Sequence, residues 1–394
     1  MIDPAIKELN FSEYLEQVAA FTSEVLIPGE AEMVRTGAVP ERIVEDMKSL
    51  GLFGISIPRE LGGLAWSMEE QVKLTLEFTR ASAVYRSRFS TVIGLCSQGL
   101  NEFGTQEQRE KWLPAMAGGD TVTAFGLTEP EAGSDAKALG THARKTADGW
   151  VLNGGKRYIT NAAWADQLFI FANTDEAEDP SCFIVDRLSE GVTTRAADMM
   201  NGHETGPVAE IELNEVAVPA DALVGDAEGT GMKMALRGIN HARMHVAATA
   251  VAQATRMLEE TVAHVSQRAQ FGAPLADLGV VQNTLGECFA QLEAGRALTL
   301  ESARTFDEGI IARHRISAAK LYCTEMASRV ADECVQLLGG EGIVGPHPVP
   351  RMWRDVRGLR IYEGSSPIHR RNLGRAMIKQ MAKYETLPDS YRVK

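Results

Sequence analysis

Apolar residues recur at helical spacing along the first part of the chain. Successive apolar positions are separated by roughly three or four residues, which is the spacing of one face of an α-helix. Gly62-Gly63 and the stretch from Asn101 to Thr105 punctuate this pattern. The pattern predicts a set of helices from Phe11 to about Ala117. The residues that define it are Phe11, Leu15, Val18, Val25, Leu26, Ile43, Met47 and Leu50.

The middle of the chain has a different pattern, with short β-branched and aromatic runs from about Asp120 to Val224. Turn-forming residues separate these runs, and Asn153-Gly154-Gly155, directly after Trp150-Val151-Leu152, is one such break. Runs of this kind are typical of strands joined by turns. We therefore predict an antiparallel β domain. The other runs lie at 122–127, 168–171, 182–185 and 208–213.

Helical spacing returns after Gly229-Thr230-Gly231. Long helices joined by short connections predict a bundle. The predicted fold is α+β, with an N-terminal helical domain over 1–118, a middle β domain over 119–226 and a C-terminal four-helix bundle over 227–394. The helical segments of the bundle are one long helix from Met232 to Val265 and the stretches 280–305, 314–337 and 365–382.

The composition disfavours some classes of partner. The chain has 394 residues, 44% of them apolar, and a formal net charge of −13 that is spread along the sequence. That charge disfavours nucleic acid and anionic membrane surfaces, and it leaves small molecules or another protein as partners. No apolar run reaches the roughly 18 residues of a membrane span, and no basic leader precedes an apolar core. We expect a soluble, cytoplasmic protein that does not bind a membrane.

The cysteines and histidines do not form a recognisable framework. The five cysteines are an odd number without a Cys-x-x-Cys spacing, and the eight histidines lack a His-Glu-x-x-His spacing. We therefore predict neither a disulfide framework nor a metal site.

A loop dense in small residues and hydroxyls follows the first predicted strand, from Phe125 to Asp135. Its backbone N–H groups would allow the close approach of a planar ring or a phosphate, although its Glu-Pro and Gly-Ser pairs also occur in plain turns. Further on, Tyr158 and Thr160 stand two residues apart, so a strand would place an aromatic ring and a hydroxyl on one side. Each segment alone is also typical of ordinary packing.

Two later segments combine a helix end with features of anion binding. The segment from Gln336 to Gly342 ends a predicted helix in glycines, which a C-cap explains and which would also let backbone amides face a pyrophosphate. The segment from Arg268 to Gly272 places a cation in the last turn of the long helix, where the helix dipole already favours it. Neither segment requires a ligand by itself.

One carboxylate stands among apolar and small neighbours in Tyr362-Glu363-Gly364-Ser365. A carboxylate held against apolar surface loses hydration, so its pKa rises and it becomes a better base for a weakly acidic C–H group. The alternative is that Glu363 is a solvated residue at the entrance of a helix.

Taken in order, these five segments resemble the acyl-CoA dehydrogenase family over nearly the whole chain. The resemblance implies a helical domain, a β domain and a four-helix bundle, with FAD as cofactor and a homotetramer or homodimer as the assembly. It also implies an acyl-CoA substrate, an electron-transferring flavoprotein as partner and a place in fatty acid metabolism.

The resemblance also assigns roles to individual residues. It implies that Glu363 is catalytic, that Tyr158 covers one flavin face and that Thr160 bonds the flavin N5 edge. The implied substrate-binding residues are Arg86, Ser134, Asn240, Arg243 and Gly364. The implied cofactor-binding residues are Phe125, Leu127, Thr128, Gly133, Ser134, Tyr158, Thr160, Arg268, Phe271, Gln282, Gln336, Gly339, Gly340 and Ser365.

The family's chemistry needs a base, since it removes an α-proton while the β-hydride passes to flavin N5. In this family the base stands at one of two helical positions. Here the second position is Ala242, which cannot accept a proton, so Glu363 is the expected base. The backbone N–H of Glu363 and a flavin ribityl hydroxyl would stabilise the enolate oxygen.

The sequence leaves the acyl group open. Tyr85-Arg86-Ser87 is similar to the segment with which glutaryl-CoA dehydrogenases bind an acidic acyl terminus, and to its counterpart in a desulfinase branch. An arginine suits a carboxylate or a sulfinate equally well. The alternatives are that Arg86 pairs with a local acid or faces solvent, and that the acyl chain is short or branched and neutral. Decarboxylation or desulfination, an oxidase or flavin monooxygenase reaction, and a non-catalytic scaffold also stay open.

Several positions depart from the family's pattern. Tyr158 replaces a commoner tryptophan, Asn240 an aspartate and Ser365 a threonine, while Pro367 and Gly279 replace polar residues. The last two changes alter local FAD contacts and leave the cofactor assignment intact.

Overall fold

The computed structural model describes residues 2–197, 199–206, 208–309 and 313–384, so residues 385–394 of the predicted bundle domain lie outside the described residues. The chain divides into two compact units. The first unit contains Met1–Ser67, Val84–Met200 and Glu204–Ala242. The second unit contains Met68–Ala83, Asn201–His203 and Arg243–Lys394.

Helices occupy the regions in which apolar spacing predicted them. Local signals fix some of their ends: Asn10 and Glu13 form a reciprocal capping box at the start of one helix, and Thr105 and Gln108 form another. The helices are α1 Pro4–Glu8, α2 Phe11–Phe21, α3 Ile27–Thr36, α4 Glu41–Ser49, α5 Met68–Phe78, α6 Ala83–Ser90, α7 Ser97–Phe103, α8 Gln106–Gly118, α9 Gly231–Gln267, α10 Gly279–Asp307, α11 Arg313–Leu338, α12 Pro348–Leu359 and α13 Ser366–Tyr384.

Two helix pairs are continuous through a π-helical turn. Thr22–Leu26 joins α2 to α3, and Thr91–Cys96 joins α6 to α7. Such wide turns are rare and are frequent at functional sites. The second π-turn follows the predicted substrate-binding Arg86 within the same continuous helix.

The β region forms one twisted sheet with the strand order β1-β4-β2-β3-β7-β6, and β5 pairs with β4. Most neighbours are antiparallel, as predicted, whereas the β1–β4 and β2–β4 pairs are parallel. The strands are β1 Thr123–Gly126, β2 His142–Lys145, β3 Gly149–Thr160, β4 Gln167–Thr174, β5 Ser181–Asp186, β6 Val192–Ala196 and β7 Val208–Pro219, and the two-residue strands β8 Ala269–Gln270 and β9 Ala273–Pro274 form a separate hairpin.

The predicted break at Asn153-Gly154-Gly155 was wrong, because β3 continues through it and Gly154 pairs with Leu213 of β7. Gly154 has a φ of 145°, and a Cβ there would lie 2.6 Å from Oγ1 of Thr141. The glycine therefore lets the strand pass close to a neighbour, which is a role that sequence alone does not distinguish from a turn.

Each unit has its own apolar core. In the first unit the core lies on the sheet, where the Trp150 and Phe183 rings meet edge to face with centroids 5.2 Å apart. In the second unit, buried residues from α9, α10, α11 and α12 pack together, and small residues such as Ala247, Ala250 and Ala254 line the packed face of α9. Small side chains let neighbouring helices approach closely.

The predicted helical segments are present as α9, α10, α11 and α13; the second unit contains α9 from Arg243 onward and the other three, and it contains α12 in addition. That helix was not predicted because its first turn is rich in proline, although Pro348 is a favoured first residue of a helix. Along the part of the chain that the structure describes, no helix has the length and hydropathy needed to cross a membrane.

Candidate active site

The loop after β1 begins from a well-packed strand. The Phe125 ring lies 4.8 Å from the Phe171 ring of β4, and Leu127 is buried. Beyond it the chain opens, because Ser134 is exposed and a Cβ on Gly133 would meet no atom within 4 Å. The loop thus has an anchored start and an open, polar far end.

A buried ion pair fixes this loop. Nζ of Lys156 on β3 donates to Oε1 of Glu129 at 2.6 Å and to the Phe171 carbonyl at 2.5 Å. Glu129 also accepts the backbone N–H groups of Gly140 at 2.6 Å and of Thr141 at 3.1 Å. Both ends of the loop are therefore tied to one carboxylate, which holds the segment that carries Thr128, Gly133 and Ser134.

Burial and ion pairing shift the pKa values of both Lys156 and Glu129. Burial would raise the pKa of Glu129. The hydrogen bonds that its carboxylate accepts from Lys156 and Thr141 outweigh the effect of burial and hold the pKa of Glu129 below its usual value. Burial lowers the pKa of Lys156 to about 8, against the opposing charge of Glu129. Both groups are consequently ionised at neutral pH.

The end of β3 places Tyr158 and Thr160 beside the same loop. The N–H of Arg157 donates to the Thr128 carbonyl at 2.9 Å. Tyr158 has a left-handed φ of 61° and is 66% exposed, Ile159 is buried and Thr160 is half-buried. The pairing with β7 shifts between Lys156 and Ile159, so a bulge turns the Tyr158 ring towards solvent.

Arg86 is buried, with only 9% of its surface exposed, so it does not face solvent. Next to its helix, Nδ2 of Asn161 donates to the Ser87 carbonyl at 2.9 Å and to Oγ1 of Thr91 at 3.0 Å. Thr91 in turn donates to the Thr123 carbonyl of β1 at 2.7 Å. These bonds tie the Arg86 segment to the strands that carry the loop.

The first turns of α9 bring Asn240 and His241 into the same unit as Arg86. Both are buried, and a Cβ on Gly94 would lie 3.5 Å from Nδ1 of His241. Burial, followed by the charges of Arg237 and Arg86, lowers the pKa of His241 to about 3, so its ring is neutral at physiological pH. The charge of Arg86 therefore reaches the His241 ring and disfavours its protonation.

Glu363 lies in a tight turn between α12 and α13 of the second unit. Its φ is 55°, and that of Gly364 is 94°. A left-handed conformation is strained for a glutamate and needs support from its surroundings. The φ of Gly364 favours glycine, and a Cβ there would also press on Nε2 of His369 at 3.1 Å and on Nη2 of Arg243 at 3.2 Å.

Three side chains from three helices supply that support. Nε of Arg243 on α9 donates to the Glu363 carbonyl at 2.9 Å, and Nε2 of His369 on α13 reaches the same oxygen at 3.3 Å. Nζ of Lys320 on α11 donates to the Gly364 carbonyl at 2.7 Å. The predicted substrate-binding arginine therefore also holds the backbone of the predicted base.

Burial and neighbouring charge shift these donors as well. Burial lowers the pKa of Lys320 to about 8, with the charge of Glu363 opposing it. Burial and the charges of Arg243 and Lys320 lower the pKa of His369 to about 4, so its neutral ring donates through Nε2. Burial also lowers the pKa of Arg243, against the opposing charge of Glu363.

The residues predicted for the adenosine diphosphate end lie on the surface of the second unit. Phe271 is 93% exposed at the tip of the β8–β9 hairpin, and Gln282 and Gln336 are exposed as well. A Cβ on Gly339 or Gly340, directly after α11, would meet no atom within 4 Å. An exposed aromatic ring and an open glycine backbone fit the aromatic and phosphate parts of a dinucleotide.

Sequence reasoning missed Lys320 and the pairing of Lys156 with Glu129. A signal for Lys320 existed, because it stands at helical spacing within an otherwise apolar stripe of α11 that includes Ile316, Ala319 and Cys323. A lysine is almost never fully buried unless it has a partner. That partner, the Gly364 carbonyl, lies far along the chain and is not visible in the sequence.

The residues present fit FAD. In the first unit, the exposed Tyr158 ring and the open, hydroxyl-bearing loop held at Glu129 fit a flavin ring. Taken by itself, the second unit has the exposed Phe271 and the open glycines after α11, which fit the dinucleotide part. When bound, FAD supplies the acceptor for a hydride.

Comparison with protein families covers most of the chain. Residues 11–120 match the acyl-CoA dehydrogenase N-terminal domain, residues 124–216 the middle domain and residues 229–378 the C-terminal domain. The chain is 33% identical to a 3-(aryl)acrylate reductase of Clostridium sporogenes over 91% of this chain and 96% of the relative. It is also 33% identical to subunit CarC of the caffeyl-CoA reductase-Etf complex of Acetobacterium woodii, with 91% and 94% covered. The same identity holds for the human mitochondrial short-chain specific acyl-CoA dehydrogenase, with 90% and 87% covered.

Solved structures agree with this assignment. The butyryl-CoA dehydrogenase of Megasphaera elsdenii superposes with a TM-score of 0.89 at 31% identity, over 94% of this chain and 100% of that one. A glutaryl-CoA dehydrogenase of Mycobacterium smegmatis in complex with FADH2 superposes with a TM-score of 0.88 at 27% identity, over 98% and 97%. The α+β fold, the enzymatic activity and the cofactor predicted from the sequence are confirmed. The alternative of a non-catalytic scaffold is therefore wrong. The chain belongs to the acyl-CoA dehydrogenase family, and it is an FAD-dependent oxidoreductase that dehydrogenates acyl-CoA thioesters.

Proposed function

We propose that Glu363 is the base that removes the α-proton of the acyl-CoA, and that the preferred acyl chain is short with an acidic end bound by Arg86. One observation carries the first part: Glu363 is held in a left-handed turn by Arg243 and His369 on its own carbonyl and by Lys320 on the next. A strained residue that its neighbours hold in place is typical of an active site.

The chemistry assigned to these residues is a proton transfer. The Glu363 carboxylate takes the proton from the carbon next to the thioester carbonyl, and general bases of this kind contribute roughly 10²–10⁴-fold to the rate. The Glu363 N–H faces the thioester oxygen and stabilises the negative charge that develops there. Ala242 on α9 is buried and has no acid–base group, so Glu363 acts alone.

The remaining residues bind the cofactor and the rest of the substrate. Tyr158 and Thr160 hold the flavin ring together with the loop that follows β1. The dinucleotide end is held by the surface residues of the second unit, and the acyl-CoA by the substrate residues. The loop residues are Phe125, Leu127, Thr128, Gly133 and Ser134; the dinucleotide residues are Arg268, Phe271, Gln282, Gln336, Gly339 and Gly340; Ser365 is a further cofactor-binding residue; the substrate residues are Arg86, Ser134, Asn240, Arg243 and Gly364.

The acidic acyl terminus is supported by the burial of Arg86. A guanidinium with 9% exposure stands in a setting where a substrate carboxylate or sulfinate would form charge-assisted, bidentate hydrogen bonds with it. A glutaryl-CoA dehydrogenase among the similar structures is consistent with such a substrate. If the acyl end is glutaryl, decarboxylation after the dehydrogenation is the second candidate, and release of CO₂ from the product distinguishes it.

The assembly and the electron partner belong to the same proposal. The exposed Phe271 and the open Gly339 and Gly340 support a homotetramer or homodimer in which one chain completes the dinucleotide site of another. The name of the Acetobacterium relative supports an electron-transferring flavoprotein as electron acceptor. We place the enzyme in the cytoplasm and in fatty acid metabolism, with domain boundaries at 118/119 and 226/227.

Replacement of Glu363 tests the central assignment. Glu363→Gln should retain FAD and fold but lose at least roughly a hundredfold in kcat, measured with butyryl-CoA and glutaryl-CoA and an artificial electron acceptor. The matched control is Glu293→Gln on α10, where the carboxylate is exposed, and it should leave kcat unchanged. Near-normal turnover of a flavin-replete Glu363→Gln enzyme would refute the assignment.

A further inference from the structure

Two consecutive backbone carbonyls, those of Glu363 and Gly364, accept hydrogen bonds from three side chains, of which His369 and Lys320 are fully buried. Arg243 and His369 contact the first carbonyl, and Lys320 contacts the second at 2.7 Å. The two residues have left-handed φ values of 55° and 94°, and this conformation places both carbonyls against the donors. The orientation of the Glu363 side chain is therefore set by contacts that its backbone makes.

Lys320 is a costly choice for packing alone. Its side chain is fully buried, with 0% exposure, and its neighbours on α11 are the apolar Ile316, Ala319 and Cys323. Burying an amine costs free energy that a methionine of similar length would avoid. The ammonium must therefore be compensated locally, and its hydrogen-bond partner is the Gly364 carbonyl.

The charges that act on Lys320 come from α9, α11 and the turn. Glu363 in the turn and Glu325 on α11 attract its cation, while Arg243 on α9 repels it. Lys320 and Arg243 in turn act on His369 of α13. Glu325 is already engaged by Arg360 at 2.8 Å and by Arg370 at 3.3 Å. Glu363 is thus the carboxylate that the turn brings to Lys320 together with its carbonyl partner.

We propose that Lys320 is a positioning residue for the base: its ammonium, fixed on the Gly364 carbonyl, locks the turn that aims Glu363 and places a positive charge beside the Glu363 carboxylate. This inference rests on the proposed role of Glu363 as the base. Lys320 does not touch the reacting carbon, and it acts through the backbone and through charge. Its removal should therefore change kcat and its pH profile much more than KM.

Lys320→Met separates this role from packing, because it retains the shape and removes both the donor and the charge. We expect full FAD content, KM within twofold and a kcat at least about tenfold lower, since small misplacements of a catalytic group are costly. Loss of the nearby cation should move the acid limb of the kcat profile to higher pH by about one pH unit. Thr324→Val is the control: it removes a buried hydroxyl one turn along α11, which bonds the Lys320 carbonyl, and it should leave the acid limb in place.

Chemical rescue and the pH profile of the wild-type enzyme supply two further tests, and the second of them needs no variant at position 320. In Lys320→Ala, ethylammonium in the buffer should restore kcat by at least about threefold, whereas ethanol at the same concentration should not. In the wild-type enzyme, kcat should fall as pH rises through about 8, where Lys320 loses its proton. This alkaline limb should remain in Thr324→Val.

The outcomes separate the inference from the proposed function. If Glu363→Gln is inactive while folded Lys320→Met keeps its kcat within twofold and an unmoved acid limb, the positioning role is wrong and the base assignment stands. A loss in Lys320→Met that equals the loss in Thr324→Val, together with no rescue of Lys320→Ala, also overturns it. An active Glu363→Gln enzyme would refute both the assignment of Glu363 as the base and the positioning role of Lys320.

Discussion

The ammonium of Lys156 and the carboxylate of Glu129 lie 2.6 Å apart with side-chain exposures of 0% and 6%, and between them they tie the loop after β1 to two strands and to its own far end. A second pair in the same unit, Lys137 with Asp179, has the same 2.6 Å separation but exposures of 66% and 39%. The two pairs therefore differ in burial and hardly at all in distance. Burial therefore decides how much each ion pair contributes to the free energy of unfolding.

A double-mutant cycle should show that difference. Lys156→Met leaves a buried carboxylate without its cation, so we expect a loss of about 3–5 kcal/mol in the free energy of unfolding. The coupling between Lys156→Met and Glu129→Gln should be about 2 kcal/mol. The cycle on Lys137 and Asp179 is the control, with a coupling of at most about 1 kcal/mol. Urea unfolding measures both, and equal couplings would contradict the argument.

The same carboxylate gives stability a dependence on acid. The folded pKa of Glu129 lies below its ordinary value of 4.5, so the unfolded chain binds more protons as pH falls through this range. The contribution of Glu129 is therefore fully present above pH 4.5 and is lost as pH falls through the folded pKa. The stability difference between wild type and Glu129→Gln should be largest at pH 7 and shrink below pH 4.5. An Asp179→Asn control should show a small difference throughout, and a constant difference for Glu129→Gln would exclude this linkage.

Arg86 should decide the choice of acyl chain. Arg86→Gln removes the buried cation, so kcat/KM for glutaryl-CoA and 3-sulfinopropionyl-CoA should fall by about a hundredfold or more, whereas butyryl-CoA and isobutyryl-CoA should change little. Arg88→Lys is the control two residues along, where the guanidinium stacks on Trp164 at 3.9 Å. A preference for butyryl-CoA that Arg86→Gln leaves unchanged would eliminate the acidic terminus.

Phe271 should affect the cofactor without affecting the fold. Its ring is 93% exposed in the single chain, so Phe271→Ser removes no contact within the core and should leave the free energy of unfolding of the apoprotein unchanged. Loss of an aromatic contact to FAD should weaken FAD binding by about tenfold. Leu188→Ser, at a position 78% exposed in the first unit, is the control. Equal FAD affinity in the two variants, measured by flavin fluorescence, would show that Phe271 has no part in the site.

Sequence patterns predicted the fold class and the order of its parts well, since spacing reports which residues face a core. The α2 helix begins where Asn10 and Glu13 can cap it, and β4 spans the apolar run at 168–171. The patterns failed where backbone geometry depends on a distant neighbour. Gly154 looked like a turn because nothing in the sequence shows that Thr141 lies against it.

The site shows the same division. Glu363 could be singled out as a candidate base from its apolar neighbours and the family motif, because the signal is local. The donors that hold it come from α9, α11 and α13, and their convergence follows only from how the helices pack. Lys156 and Glu129 were both within sequence segments of interest, but their pairing needs the register between the loop and β3.

Two helical glycines provide a matched test of packing in this chain. A Cβ on Gly238 of α9 would lie 2.4 Å from the carbonyl oxygen of Leu95 in the π-turn, and that oxygen belongs to backbone and cannot rotate away. A Cβ on Gly286 of α10 would meet nothing within 4 Å. Alanine normally stabilises a helix relative to glycine by roughly 0.5–1 kcal/mol, so Gly286→Ala should raise the free energy of unfolding by that amount.

Gly238→Ala should do the opposite, because the added methyl must push α9 away from the π-turn at a cost of about 1–3 kcal/mol. The same displacement moves Asn240 and His241, which are on the next turn of α9, so KM for the acyl-CoA should rise in this variant and stay unchanged in Gly286→Ala. Urea unfolding and steady-state kinetics on both proteins measure these effects. A Gly238→Ala enzyme as stable as Gly286→Ala would show that the backbone around Leu95 accommodates the added methyl group at little cost. In that case the packing of α9 against the π-turn would not fix the positions of Asn240 and His241.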